Sequence, residues 1–170
     1  MAKTKAPRNK QALDSESESW RRRPWRKFEQ PVYRIQKRIF QAEQRGNPRA
    51  VHKLQKRLMK SRAARLLAIC RVTQDNQGKK TAGVDGVKSV PPSLRLDMVE
   101  QIHPTQWKRL KAQPVRRVSI PKPGKAEKRG LGMPIMQTRV HQALVKLALE
   151  PEWEAKFEAN VRPVQSKFAA

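Results

Sequence analysis

Five apolar residues, Phe28, Val32, Ile35, Ile39 and Ala42, recur at steps of 4, 3, 4 and 3. That spacing puts them on one stripe of an α-helix and on no face of a strand. It predicts a helix from about Phe28 or Pro31 to about Arg45. Gly46 is placed to end it, and Asn47-Pro48 to start another, with Asn as the N-cap and Pro in the first helical position. Val51, Leu54, Leu58, Leu66, Ile69 and Cys70 then extend a second apolar side from Pro48 to about Val72. Two such helices joined by a two-residue break can only bury their stripes against each other or a third element, so an αα-hairpin is expected.

What lies off the stripes is almost purely basic. Residues 20–71 hold 17 basic and 2 acidic residues, net +15, out of a whole-chain charge of +25. Residues 101–130 hold 9 and 1, net +8, whereas 72–100 balance at zero. A face that serves only solubility mixes signs and makes i,i+4 pairs; a face of one sign is better accounted for by phosphate. Nucleic acid is therefore the first expected partner. An anionic membrane surface is second and an acidic protein third. No run approaches the ~20 apolar residues of a membrane span, and no signal peptide opens the chain, so neither membrane insertion nor secretion is expected. A bacterial cytoplasm or an organellar matrix or stroma is the expected location.

Residues 1–19, with a Ser/Glu tract at Ser15–Ser19, read as a disordered tail. Trp20 and Trp25 bracket a basic run, and docking onto the fold outweighs base stacking as their use. Residues 20–72 form the basic helical region and 73–160 a second unit. Within that unit, Thr73–Gly86 is turn-rich and a helix is expected over Leu94–Ile102, closed by Pro104. Strands around Val115–Ile120 and Leu131–Met133 should flank a loop, Pro121–Gly130, with four cations and one Glu. A last helix should run from Thr138 to Glu150, kink or restart at Pro151, and continue to Glu158. Residues 161–170 read as a frayed tail. The fold class is α+β, mainly α-helical: a basic αα-hairpin, then a β-hairpin and a C-terminal helix.

Four of these stretches, in order, resemble one family. The basic hairpin ending Leu54-Gln55-Lys56-Arg57-Leu58-Met59-Lys60-Ser61 is similar to the N-terminal extension of group II intron reverse transcriptases, or maturases. Asn76-Gln77-Gly78-Lys79-Lys80-Thr81-Ala82-Gly83-Val84-Asp85-Gly86 matches their N-x-G-x-x-T-x-G-x-D signature. Arg116–Lys122 with Gly124-Lys125 and Arg129–Pro134 resembles their fingers hairpin, and Arg139–Gln142 leading to Leu149–Glu154 the helix that follows. Departures are Gly130 where the family usually has Pro, Thr138 where it usually has Asp, and only Val161-Arg162-Pro163 where a Ser-Tyr-Gly-Phe-Arg-Pro stretch is usual. The resemblance implies that the palm, with its catalytic carboxylates, lies beyond this sequence.

Polymerisation needs two metal ions held by clustered carboxylates. The four Asp, Asp14, Asp75, Asp85 and Asp97, form no such cluster in sequence, and Asp85 reads as a turn residue. One cysteine and three scattered histidines give no zinc pattern. The expectation is no enzyme on its own, no catalytic residues, no metal and no cofactor. The expected RNA-binding residues are Lys37, Arg38, Lys53, Lys56, Arg57 and Lys60 on the helices, and Arg116, Arg117, Lys122, Lys125, Lys128 and Arg129 on the hairpin. In the resembled family the hairpin cations contact a nucleotide triphosphate, at positions matched by Lys122 and Arg129. Of Arg116 and Arg117, successive strand residues, at most one is expected to face solvent freely. The partner is structured RNA, a group II intron among the candidates. Two alternatives stand beside this: one half of a split reverse transcriptase completed by a separate palm subunit, and a structural subunit of a protein or ribonucleoprotein complex. In the latter an acidic face of Glu150, Glu152, Glu154 and Glu158 would meet the partner.

Overall fold

The computed structural model describes residues 10–76, 81–109, 111–124 and 127–158. The expected tails at 1–9 and 161–170, residues 77–80 of the signature, and Lys125 lie outside that set. The chain is mainly helical, with α1 Lys10–Arg21, α2 Trp25–Gln44, α3 Pro48–Lys60, α4 Arg62–Cys70, α5 Pro92–Gln101 and α6 Met136–Glu158. A two-stranded antiparallel hairpin, β1 Arg116–Pro121 and β2 Lys128–Met133, precedes α6. The α+β, mainly α fold class is upheld.

The break between α2 and α3 is the one the residues specify. Gly46 adopts φ +62°, a conformation that costs a side chain strain. The Asn47 side chain accepts the Ala50 N–H at 3.0 Å, and Pro48 opens α3.

The second helix differs from expectation, because it is two helices. Ser61 is extended at ψ 129°. Its N–H donates to the Arg57 and Leu58 carbonyls, at 3.1 and 2.9 Å, and its own carbonyl accepts from Arg65 N–H at 3.2 Å. The reason lies in the two patterns. α3 is amphipathic, burying only Val51, Gln55 and Leu58, whereas Ala64 to Cys70 of α4 are all buried. A straight continuation would carry α4's all-round burial along a helix whose other face is solvated. Turning at Ser61 lets α4 run into the middle of the bundle, against α2, α5 and α6. A π-helical segment, Arg71–Asp75, ends the run, with Thr73 Oγ1 donating to the Ile69 carbonyl at 2.8 Å.

Residues 10–19, expected to be disordered, are helical. The tether is Trp20, which is fully buried. Its indole N–H donates to Gln74 Oε1 at 2.6 Å. Its ring meets Trp25 edge-on at 5.0 Å, and the Arg95 guanidinium lies over it at 5.5 Å. A polar Ser/Glu tract has little to bury itself, but one anchored Trp at its end holds α1 against α5.

α6 passes through Pro151 without interruption. Proline lacks the N–H that would bond the carbonyl four residues back, which is that of Leu147. The Gln36 side chain, buried in α2, fills the gap by donating Nε2–H to the Leu147 carbonyl at 2.8 Å. The expected kink or restart is thus avoided by a donor more than a hundred positions away in sequence. α6 packs on α2, α3 and α4. Its Val140, Leu144, Leu147 and Ala148 join Ile39, Val51, Leu58 and Leu66 in one core.

Candidate nucleic-acid interface

At about 100° per residue, Arg49, Lys53, Lys56, Arg57 and Lys60 share one side of α3, opposite the buried Val51 and Leu58. All five are exposed. None makes an ion pair with an acidic group among the described residues. The same arithmetic puts Lys27, Arg34, Arg38 and Arg45 on the outer side of α2, where all four are exposed. Lys37 sits at the edge of that side, is half-buried and has a partner.

The nearby carboxylates are turned inward and used. Glu152 accepts from Gln55 Nε2 at 2.6 Å and from Lys156 Nζ at 2.5 Å, and Lys156 also reaches Glu43 at 3.6 Å. The Lys156 hydrogen bond, then that of Gln55, holds the Glu152 carboxyl below its usual range, against some burial. The acidic face expected on the last helix is thereby divided. Glu152 is a bundle contact, and the Glu158 side chain lies outside the described atoms. Lys156 holds both Glu43 and Glu152, and among the described residues no carboxylate pairs with the outer cations of α3.

Two arginines, one in the helical block and one in α5, serve the fold instead. Arg65 is buried and donates through Nη1 to the Val99 carbonyl and, at 3.3 Å, to Glu100. Arg95, which the sequence reading did not single out, donates to the carbonyls of Val90 and Thr73 and to Gln74 Oε1. Burial lowers its pKa, as does Arg21, while Cys70 acts the other way. Arg23 was also missed. Burial, then the charge of Arg62, lowers its pKa, which marks two cations held close together.

The hairpin pairs Arg116 with Met133, Val118 with Leu131 and Ile120 with Arg129. Both Arg116 and Arg117 are exposed, contrary to expectation. The strand alternation does separate them, but the two-stranded hairpin leaves both faces open to solvent at that end. Arg117 lies across Gly130, where a Cβ would come within 2.6 Å of its Nε. A ring at that position, usual in the resembled family, would require Arg117 to move. Lys122 is not a free cation, since it pairs with Glu127 at 2.7 Å and closes the tip. Lys128 and Arg129 are exposed.

The T-x-G-x-D part of the signature is structural. Arg139 donates to the Thr81 carbonyl at 2.8 Å and to the Pro134 carbonyl at 2.9 Å. A Cβ on Gly83 would meet the Ile135 backbone at 2.8 Å, so the close approach requires glycine. Asp85 Oδ1 accepts the Val87 N–H at 3.2 Å, the local turn bond expected of it. Among the described residues no group of three His, Cys, Asp or Glu could hold a metal ion, and no helix is long and apolar enough to cross a membrane.

Residues 20–102 match the N-terminal domain of reverse transcriptase. Over 135 residues the chain is 31% identical to Maturase-like protein 1 of Euglena gracilis, covering 78% of this chain and 29% of that protein. Over 106 residues it is 36% identical to Protein YkfC of Escherichia coli (strain K12), covering 59% of this chain and 28% of that one. The chain thus spans less than a third of the length of either relative.

Proposed function

We propose that this chain, in which the resemblance to the N-terminal part of a group II intron reverse transcriptase is upheld, works as an RNA-binding module that grips structured RNA by its phosphates. The observation that carries this is the outer side of α3, with five exposed cations on three turns and no carboxylate among them. Contacts of that kind position RNA by backbone and shape and do not read its bases. Rigid placement favours α3 over the hairpin. The α3 cations are fixed by a buried opposite face, whereas the tip has spent Lys122 on Glu127. Arg38 on α2, and Lys128, Arg129, Arg116 and Arg117 on the hairpin, are secondary contacts in this reading. In this reading the chain by itself is not a polymerase, in keeping with four Asp that form no paired cluster in sequence. A role in intron splicing within a ribonucleoprotein is the matching biological setting.

The test is fluorescence anisotropy with a structured RNA, comparing the wild-type chain with Lys53, Lys56, Arg57 and Lys60 all changed to Gln. Loss of affinity with retained far-ultraviolet helix signal supports the reading. Unchanged affinity removes α3 as the interface.

A further inference from the structure

The β-hairpin presents two unlike faces. Arg117 pairs with Gly132, Ser119 with Gly130 and Pro121 with Lys128. Side chains alternate along a strand, so these six share one face, and all six are exposed. Arg129, at a position matched to the nucleotide contact of the resembled family, lies on the other face with Val118 and Leu131. On the first face β2 carries no side chain at 130 or 132. Glycine within a strand often marks a place where another group comes close to the backbone. At Gly130 that group is Arg117. A Cβ there would stand 2.6 Å from Nε and 3.0 Å from Nη2, but 3.2 Å from the Cζ that joins them. The guanidinium therefore meets the strand edge first and stands upright on it. It makes no ion pair among the described residues, and no aromatic ring of theirs lies against it. Val115, 53% exposed, stands over Gly132 in turn, 3.1 Å from where its Cβ would be.

Spacing and charge select the occupant. Positions 130 and 132 are about 7 Å apart along the strand. A base is about 3.4 Å thick, the rise per base in a stacked strand, so the gap between guanidinium and valine admits one base with contact on both sides. A guanidinium plane is a surface on which unpaired bases stack. Lys128, on the same face, supplies a cation for the phosphate of the same nucleotide. The one acid of residues 101–130, Glu127, is spent on Lys122. That segment's net +8 favours a polyanion over an aromatic side chain of a protein. The bases of a duplex already have their faces covered by neighbours and cannot enter. We infer that Arg117, seated on Gly130 and flanked by Val115, is a stacking seat for one unpaired base of an RNA strand. The inference rests on the RNA-binding reading and gives Arg117 a role that charge alone does not fill.

The experiment measures, by fluorescence anisotropy on the full chain, the affinity for a short oligouridylate and for an abasic ribose strand of equal length and charge. The wild type should prefer the strand with bases by about three- to tenfold. Arg117→Lys keeps the charge and removes the plane, so the preference should collapse to near one. Gly130→Ala keeps Arg117 but fills its seat, and should do the same. The backbone at 130 is not in the left-handed region, so alanine fits it. The four-site α3 variant should bind both strands more weakly and keep the preference. If that variant binds as wild type while Arg117→Lys still abolishes the preference, the phosphate reading fails and the stacking seat stands. No preference in the wild type overturns the seat, even where the α3 variant loses structured RNA. A preference that survives both Arg117→Lys and Gly130→Ala also overturns it. Displacement of the strand by uridine 5′-monophosphate at equal nucleotide concentration would make the seat a free-nucleotide site and overturn RNA as its occupant.

Discussion

Gln36→Met should destabilise the protein far more than an exposed Gln would, and Pro151→Ala should abolish most of that effect. The Leu147 carbonyl has no helical N–H to bond because residue 151 is proline, and Gln36 Nε2 donates to it at 2.8 Å in a buried site. Met keeps the length and flexibility of Gln but brings no donor. The carbonyl is then buried and unsatisfied, at a cost of about 1–3 kcal/mol. With a urea m-value of about 2 kcal/mol/M, the midpoint should fall by roughly 0.5–1.5 M, followed by circular dichroism at 222 nm. Alanine at 151 restores the N–H to the ladder, so the same Gln36→Met change in that background should cost less than half as much. The double-mutant cycle isolates this coupling, because the two residues share one acceptor. Equal losses in both backgrounds would refute the account and leave Gln36 as mere packing.

Other outcomes follow from the charges and from Cys70. Log affinity for structured RNA should fall linearly with log salt, and the four-site α3 change should lower the steepness by about 3, at roughly 0.7–0.9 per lost contact. The same change at Lys122, Lys125, Lys128 and Arg129 should weaken binding less, and a larger loss there would return the hairpin to first place. The purified chain should extend no primer with Mg²⁺ or Mn²⁺, as a radiolabelled extension assay would show. Burial, then Asp75, pushes the Cys70 thiol up to about 11. Ellman's reagent at pH 8 should therefore react slowly with the folded chain and promptly in urea. The unfolded thiol ionises first as pH rises, so stability should decline from about pH 8.5 toward 11, and Cys70→Ala should flatten that decline.

What could be read from the residues was what is local. The α2 stripe, the Gly46-Asn47-Pro48 break and the strand alternation each follow from spacings of a few residues, and each is found. What could not be read depends on partners distant in the chain. Nothing near Ser61 says that the helix must turn, because the cause is that α4 is enclosed by α5 and α6. Nothing near Ser15 says that the tract is helical, because the cause is Trp20 reaching Gln74. Pro151 alone predicts a kink, and only Gln36 removes it. Charge behaves the same way. Spacing finds the outer strip of α3, but it cannot tell Arg57, which faces water, from Arg65, which holds the carbonyl of Val99.

The same long-range contacts converge on one element, α6. α6 supplies Glu152 and Lys156, which occupy Gln55 and Glu43 and so keep carboxylates off the outer side of α3. Its Leu147 carbonyl takes up the Gln36 side-chain amide, the one polar side chain among the buried residues of α2. Beside that network, Trp153 stacks with Phe157 in the exposed apolar ridge of the same helix. Lys156 itself lies over the Trp153 ring at 4.8 Å. Lys156 thus contacts the exposed aromatic ridge and the carboxylates of the bundle alike.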